Sequence, residues 1–308
     1  MNTGRVRLAS AGARAATTVS LASTHPLGTR LRDILFRSGL YLGLGLALAG
    51  LSALLLFMAV EGGPRLALGL FTEVPSSITP AMAGYRTAIL GTLYLIAGVI
   101  LLIVPLGVGA AVYLEEYADT TRWWNRVIEL NIQNLAGVPS IVFGILGLAF
   151  FVRGPLSLGF VAAAGSLTLA LLVLPTVIIA SREAIRAVPS SIAQGALALG
   201  ATQWQSIRRM ILPSALPGIL TGVILAVARA IGEAAPLLLT GATVFVTFNP
   251  QMFSGGYSAL PVMIYNYSQR PQAEFRILAA AGVIVMLILV LVMNGLAVWL
   301  RDRFEHRW

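Results

Sequence analysis

Cysteine and lysine are both absent from this 308-residue chain, and histidine occurs only as His25 and His306. Without cysteine there is no disulfide, thiol nucleophile or thiolate metal site, and the redox compartment leaves no trace in the sequence. Without lysine there is no Schiff base and no phosphate-cradling loop of the GxxxxGK[ST] type. Both histidines lie outside the apolar runs, which argues against zincin, Ser-His-Asp and histidine-relay chemistry in a membrane. Charge is scarce too: 11% of residues are charged and 57% hydrophobic, where soluble domains carry about 25% charged residues. Mean hydropathy is +0.86. A surface so poor in charge belongs in a bilayer.

Six apolar runs are long enough, at roughly 20 residues each, to cross a hydrocarbon core as helices. They are Leu40 to Val60, Thr87 to Leu114, Val127 to Val152, Leu158 to Ser181, Pro217 to Thr240 and Ile277 to Leu300. The third is the least regular, because Glu129, Asn131, Gln133 and Asn134 crowd its start. The expected fold class is an all-α integral membrane protein with six transmembrane helices. The net charge of +9 is a topology signal rather than a nucleic-acid signal, because the arginines flank the runs. With the N terminus in the cytoplasm, Arg122, Arg126, Arg182, Arg186, Arg208, Arg209 and the arginines of both tails fall inside. Only Arg65, Arg86, Arg153, Arg270 and Arg276 fall outside, and Arg229 alone lies within a run. That asymmetry places both termini in the cytoplasm.

Residues 1–33 are rich in Arg, Ser and Thr and have no acid before Asp33. The composition resembles an organellar transit peptide, but the plainer reading is a disordered basic cytoplasmic tail preceding a single membrane domain over residues 34–308.

The loop between the fourth and fifth runs, residues 182–216, is the most informative segment. Ile192 to Leu199 suits a short helix of small residues, and Gly200 supplies a turn. Trp204, Ile207 and Ile211 then recur at helical spacing before Pro213 ends the pattern. Two short helices joined at a glycine are marginal alone. They dock either into a groove of a partner protein or back onto their own bundle.

Within this loop Ala196, Gly200, Leu212 and Pro213 stand at the spacing of the EAA loop, Glu-Ala-Ala, three residues, Gly, nine residues, Ile-x-Leu-Pro. Gln194, Gly195 and Met210 replace its glutamate, first alanine and isoleucine. The loop resembles that of binding-protein-dependent ABC importer permeases. Leu70–Glu73, Gly109–Tyr117, Val138–Gly144, the run Ala228–Leu238, and Leu260–Val262 with Ile264 are similar to phosphate-specific transport (Pst) permeases of the A type. The similarity covers roughly residues 40–300 and leaves the N-terminal tail outside.

The resemblance implies a type I importer permease (MetI-like) fold in the bacterial plasma (inner) membrane. It implies a second Pst permease of the C type, an extracytoplasmic phosphate-binding protein and a dimer of an ATPase as partners, with phosphate as cargo and lipid around the helices. No cofactor is expected in this chain; ATP and magnesium belong to the ATPase, which fits the missing lysine. Gln194, Gly195, Ala196, Gly200, Ala201, Trp204, Leu212 and Pro213 are the expected coupling residues, carrying ATPase closure into the bundle.

Arg229 and Glu233 are the candidate translocation pair. Their i,i+4 spacing puts them on one helical face, and a regular helix places Arg229 about 18 Å from Pro217, near mid-membrane. An arginine there costs at least ~2.5 kcal/mol, so it is retained for a pathway or a partner. It offers a planar fork to phosphate oxygens, with Glu233 balancing the charge; the alternative is an ion pair that locks the helix to a neighbour. Gly232 leaves room for close approach, and Pro236 bends the helix just beyond. Elsewhere, Glu115 and Glu116 are expected to pair with Arg122 or Arg126. Ala259–Tyr267 reads as a short interfacial helix, with Tyr257, Tyr265 and Tyr267 in an aromatic belt. Arg270 and Arg276 flank a span.

Rival classes fit less well. A secondary transporter or channel needs no EAA-like loop. A membrane enzyme needs an intramembrane nucleophile, metal ligands or an aspartate pair, and Asp33, Asp119 and Asp302 all lie outside the runs. Sulfate, molybdate and phosphonate permeases are the nearer competitors.

Overall fold

The computed structural model describes residues 27–119, 121–242 and 246–304. Among them all regular structure is helical, apart from one isolated parallel bridge between Ala242 and Tyr257. The chain divides into two compact units, one through Leu55 and one from Leu56 onward. Where described, the first is the helix α1 (Leu27–Gly62) up to that point. Residues 27–33, expected in the tail, are its opening turns. The rest of the expected tail, with His25, lies outside the described residues, as do His306 and the C terminus.

In the second unit α2 (Gly69–Thr72) leads to α3 (Arg86–Val112), prolonged by a π-helical turn over Tyr113–Tyr117. Next come α4 (Trp123–Ala136) and α5 (Ser140–Gly147), the latter prolonged by a π-helical turn over Leu148–Val152. Then follow α6 (Ala162–Arg186), α7 (Ser190–Ala198), α8 (Gln203–Ser206) and α9 (Leu212–Gly232). The last three are α10 (Ala235–Leu239), α11 (Leu260–Ser268) and α12 (Ala273–Phe304).

Five stretches among the described residues are long and apolar enough to cross a bilayer: Arg32–Arg65, Arg86–Tyr117, Ala162–Arg186, Gln203–Gly232 and Ala273–Arg303. The protein is therefore a multi-pass membrane protein. The third expected span is not one helix: α4 and α5 are bent by 107°, and only together are they long and apolar enough for a sixth crossing. Gly137 ends α4, its N–H bonded to the Asn134 carbonyl at 3.0 Å, and Pro139 is extended with ψ 138°. Proline cannot carry the helix through, because it lacks the N–H and its ring meets the preceding turn. The polar Glu129, Asn131, Gln133 and Asn134 are thereby confined to α4, while α5 keeps the apolar part.

Helix α6 is the centre of the second unit, with Leu169, Val173 and Val177 no more than 1% exposed. It runs parallel to α3, where Ser166 donates to the Leu95 carbonyl at 3.2 Å, and antiparallel to α9. There Gly218 and Gly222 face Ala184 and Ala180 so closely that a Cβ on either would collide with the alanine. Small residues let the two backbones approach. On the far end, Thr92 Oγ1 accepts the Leu260 N–H at 2.9 Å and pins the start of α11 to α3.

That anchor turns α11 inward, which corrects the interfacial expectation. Leu260, Val262, Met263 and Tyr267 are fully buried. Tyr267 stacks on Phe275 at 5.3 Å and meets Tyr85 edge-on at 5.7 Å. Tyr257 is also a core residue, its hydroxyl 3.0 Å from Thr240 Oγ1. Of the three belt tyrosines only Tyr265 is exposed.

Candidate coupling loop and translocation pair

The loop after α6 is built by local hydrogen bonds that its sequence dictates. Helix α7 contains Gln194, Gly195 and Ala196 and ends at Gly200, whose φ is +85°. Gly200 N–H bonds the Leu197 carbonyl at 3.0 Å and Ala201 N–H bonds that of Ala196 at 3.1 Å. This reciprocal pair is the Schellman arrangement, and the left-handed backbone it needs is why a glycine stands there. Two residues on, Thr202 caps α8 in a capping box: Thr202 Oγ1 accepts from Gln205 N–H at 3.3 Å, and Gln205 Oε1 accepts from Thr202 N–H at 2.9 Å. Stop and restart thus lie within three residues. The elbow presents an apolar tip, with Leu199 90%, Trp204 53% and Leu197 49% exposed. Gln194 and Gly195 are exposed beside it.

Pro213 does not end the second helix. From Gln203 the helix runs to Gly232, with a π-helical turn over Ile207–Ile211 just before Leu212 and Pro213. The wider turn accommodates a residue that cannot donate to the preceding turn. Leu212 and Pro213 are therefore residues of the shaft, distinct from the exposed elbow.

At the other end of this shaft stand Arg229 and Glu233. Arg229 Nε donates to Glu233 Oε1 at 3.4 Å; the side chains are 44% and 18% exposed. The pair does not lie on one regular helix: α9 ends at Gly232 and Glu233 is extended, φ −81° and ψ 114°. The break has a chemical cause. Pro236 has no N–H for the Gly232 carbonyl, and its ring would strike it, whereas in the first turn of α10 the missing donor costs nothing. A Cβ on Gly232 would meet only Met286 Cε, at 3.9 Å, so the flank of the pair is open. Arg229 also complements the negative end of α9 in its last turn.

The close approaches of Gly218 to Ala184 and Gly222 to Ala180 set an antiparallel register. Continued by two turns it brings Arg229 level with Val173, in the middle of α6. Helix α9 therefore breaks midway along the bundle. Across the break, α10 packs on α5, where a Cβ on Gly144 would lie 2.8 Å from Pro236 Cα. The two discontinuous segments of the second unit meet there.

An ionic cluster that the sequence reading missed gathers at the coupling end. Glu115 accepts from Arg182 at 2.7 Å and from Arg186 at 2.8 Å, and Arg182 also reaches Glu129 at 3.0 Å. These join α6 to α4 and to the π turn closing α3, and replace the expected pairing of Glu115 with Arg122 or Arg126. Arg122 instead pairs with Asp119 at 3.5 Å. Hydrogen bonds from Thr121 hold the Asp119 carboxyl below the usual range. Gln203 donates to the Glu116 carbonyl at 2.6 Å, fastening the start of α8 to the same place. Arg270, expected to flank a span, donates to the Ser77 carbonyl at 2.9 Å and lies over Phe275 at 4.6 Å.

Residues 103–306 match the family described as binding-protein-dependent transport system inner membrane component. The chain belongs to this permease family. The matched stretch contains the elbow, the shaft and the Arg229–Glu233 pair. The chain is 34% identical to the phosphate transport system permease protein PstA of Haemophilus influenzae over 87% of itself and 92% of that protein. It is 34% identical to the probable ABC transporter permease protein YqgI of Bacillus subtilis, covering 83% and 92%. Among solved structures, a bacterial alginate ABC transporter in complex with a periplasmic protein bound to an alginate pentasaccharide superposes with a TM-score of 0.62 at 15% identity, covering 86% of this chain and 93% of that one. The MetNI methionine ABC transporter gives 0.56 at 17% identity, covering 71% and 97%. These share the MetI-like fold. A member of this family is a transport subunit and not an enzyme.

Proposed function

We propose that this chain is the permease subunit of an ATP-driven inorganic phosphate importer in a bacterial plasma membrane, with both termini cytoplasmic. The observation that carries the reading is Arg229, half-exposed on a shaft that breaks beside it, in a chain whose relatives include phosphate permeases. At 3.4 Å its link to Glu233 is long for a charge-assisted hydrogen bond. Among the described residues neither terminal amino group of the guanidinium has a hydrogen-bond partner. Those donors form a planar fork that fits two oxygens of a phosphate. Glu233 offsets the cation while the path is empty and accepts from a protonated phosphate oxygen when it is filled. The hold is weak enough for release.

The energy comes from elsewhere, since these 308 residues contain no lysine for an ATP-binding loop. ATP and magnesium sit on an ATPase dimer docked at the elbow formed by Gln194–Ala196, Gly200, Ala201 and Trp204. A second permease of the C type completes the pathway, and an extracytoplasmic binding protein delivers phosphate. Because α8 and α9 are one shaft, a push at Trp204 moves Arg229, about 38 Å away along the axis, as part of the same body.

Phosphate uptake in a host lacking its own system, at trace phosphate and excess sulfate, tests this. Uptake is expected to need this chain, its partners and ATP, and to resist sulfate. Suppression by sulfate would move the assignment to another oxyanion while leaving the permease in place.

A further inference from the structure

Glu233 is loosely held by its own surroundings. Among the described residues its carboxylate has Arg229 as its one hydrogen-bond partner, at 3.4 Å, and its backbone N–H reaches the Ala230 carbonyl at the same long distance. The short helix that follows is held far more firmly, at both of its ends. At the start, α10 lies against Gly144, a buried residue inside α5 whose φ is not in the left-handed region. Glycine is a poor helix former, and here its conformational freedom is not in use. What it gives is room: a Cβ on Gly144 would lie 2.8 Å from Pro236 Cα, 3.2 Å from the Pro236 carbonyl oxygen and 3.0 Å from Leu239 Cδ1. The nearest of these is a backbone atom, which cannot turn aside, so α10 itself would have to shift. Helix α5 is seated on α6 in the same way, since a Cβ on Gly147 would collide with Thr168.

At the other end of α10, Thr240 Oγ1 lies 3.0 Å from the Tyr257 hydroxyl and donates to the Pro236 carbonyl at 3.2 Å. Thr240 and Tyr257 are fully buried, and the Tyr257 hydroxyl rests on α6, where a Cβ on Gly165 would come within 2.6 Å of it. We propose that Gly144 is a positioning residue for the translocation pair. By leaving room for Pro236 it seats α10, and that seat sets where Glu233, three residues earlier, meets Arg229. Tyr257 holds the far end of the same seat. The inference rests on the pair carrying phosphate.

The test is a double-mutant cycle on the assembled complex in proteoliposomes with phosphate-loaded binding protein. It is read on phosphate uptake and on the ATP hydrolysis that the loaded protein stimulates. Gly144→Ala is expected to lower uptake about three- to tenfold, less than the ~10²-fold of a full ångström's misplacement. In a Glu233→Gln background, itself slower than wild type, Gly144→Ala is expected to change neither readout further, because no carboxylate is left to place. A purely structural role would instead multiply the two losses. That result, or wild-type uptake by Gly144→Ala, overturns the proposal and leaves the pair its role in transport. Wild-type uptake by Glu233→Gln removes the role of the pair, and the proposal with it. If Gly144→Ala does not assemble, Tyr257→Phe, which adds no atom and frees the far end of α10, takes its place in the cycle with the same expected outcome, and multiplied losses there overturn the proposal equally.

Discussion

Arg229 and Gly200 are needed for different physical reasons, and substitutions separate them. At Arg229 the useful property is the fork, since Nε is engaged with Glu233 and the terminal nitrogens have no hydrogen-bond partner among the described residues. Arg229→Lys keeps the charge and loses the fork. It is expected to assemble with its partners and to lower phosphate uptake at least about tenfold, the equivalent of one charged hydrogen bond, as measured in proteoliposomes beside Arg229→Ala. At Gly200 the useful property is backbone. A Cβ there meets nothing within 4 Å, so the cost of Gly200→Ala is the left-handed φ of +85°, roughly 1–2 kcal/mol. Gly200→Asn should restore much of what Gly200→Val removes, with ATPase stimulation as the readout, because asparagine tolerates that conformation. Steric crowding as the cause would instead rank asparagine with valine.

At the scale of elements, the break between α9 and α10 is the feature to perturb. Pro236→Ala returns the N–H that the Gly232 carbonyl lacks and removes the ring, so α9 gains freedom to continue through Glu233. The expected result is an unchanged or more stable permease with uptake reduced severalfold, measured by thermal melting and transport on the same preparation. Undiminished uptake would show that the discontinuity is incidental. The π-helical turn at Ile207–Ile211 has the opposite effect: it accommodates Pro213 without a break, so one element carries both the elbow and Arg229.

At the scale of the whole molecule, the coupling end of the second unit is held by charge, and apolar cores pack around α6 and between α11 and α12. Glu115, 14% exposed in its side chain, bridges Arg182 and Arg186. Glu115→Gln leaves both guanidinium groups short of a carboxylate and costs about 1.5–3 kcal/mol, as for hydrogen bonds to charged groups. A lowered melting temperature that high salt does not erase is expected, since Glu115 and Arg182 are shielded from solvent, though Arg186 is not. An equal loss in the wild type on adding salt would mark the cluster as a solvated surface feature.

The sequence alone determined the membrane location, the long spans, the glycine turn and the family of the coupling loop, because each rests on local composition or spacing. Hydrophobic run length, a glycine's left-handed backbone and a missing lysine need no tertiary context. Only the tertiary structure decided that the third span is a bent pair, that Glu233 lies beyond a helix end, that Tyr257 and Tyr267 are core residues, and that Glu115 belongs to Arg182 and Arg186. Each depends on groups far apart in the chain or on what a proline does to its neighbours. The carboxylate of Glu115 had arginines within reach along the chain, and the parallel packing of α3 on α6 brought it to others.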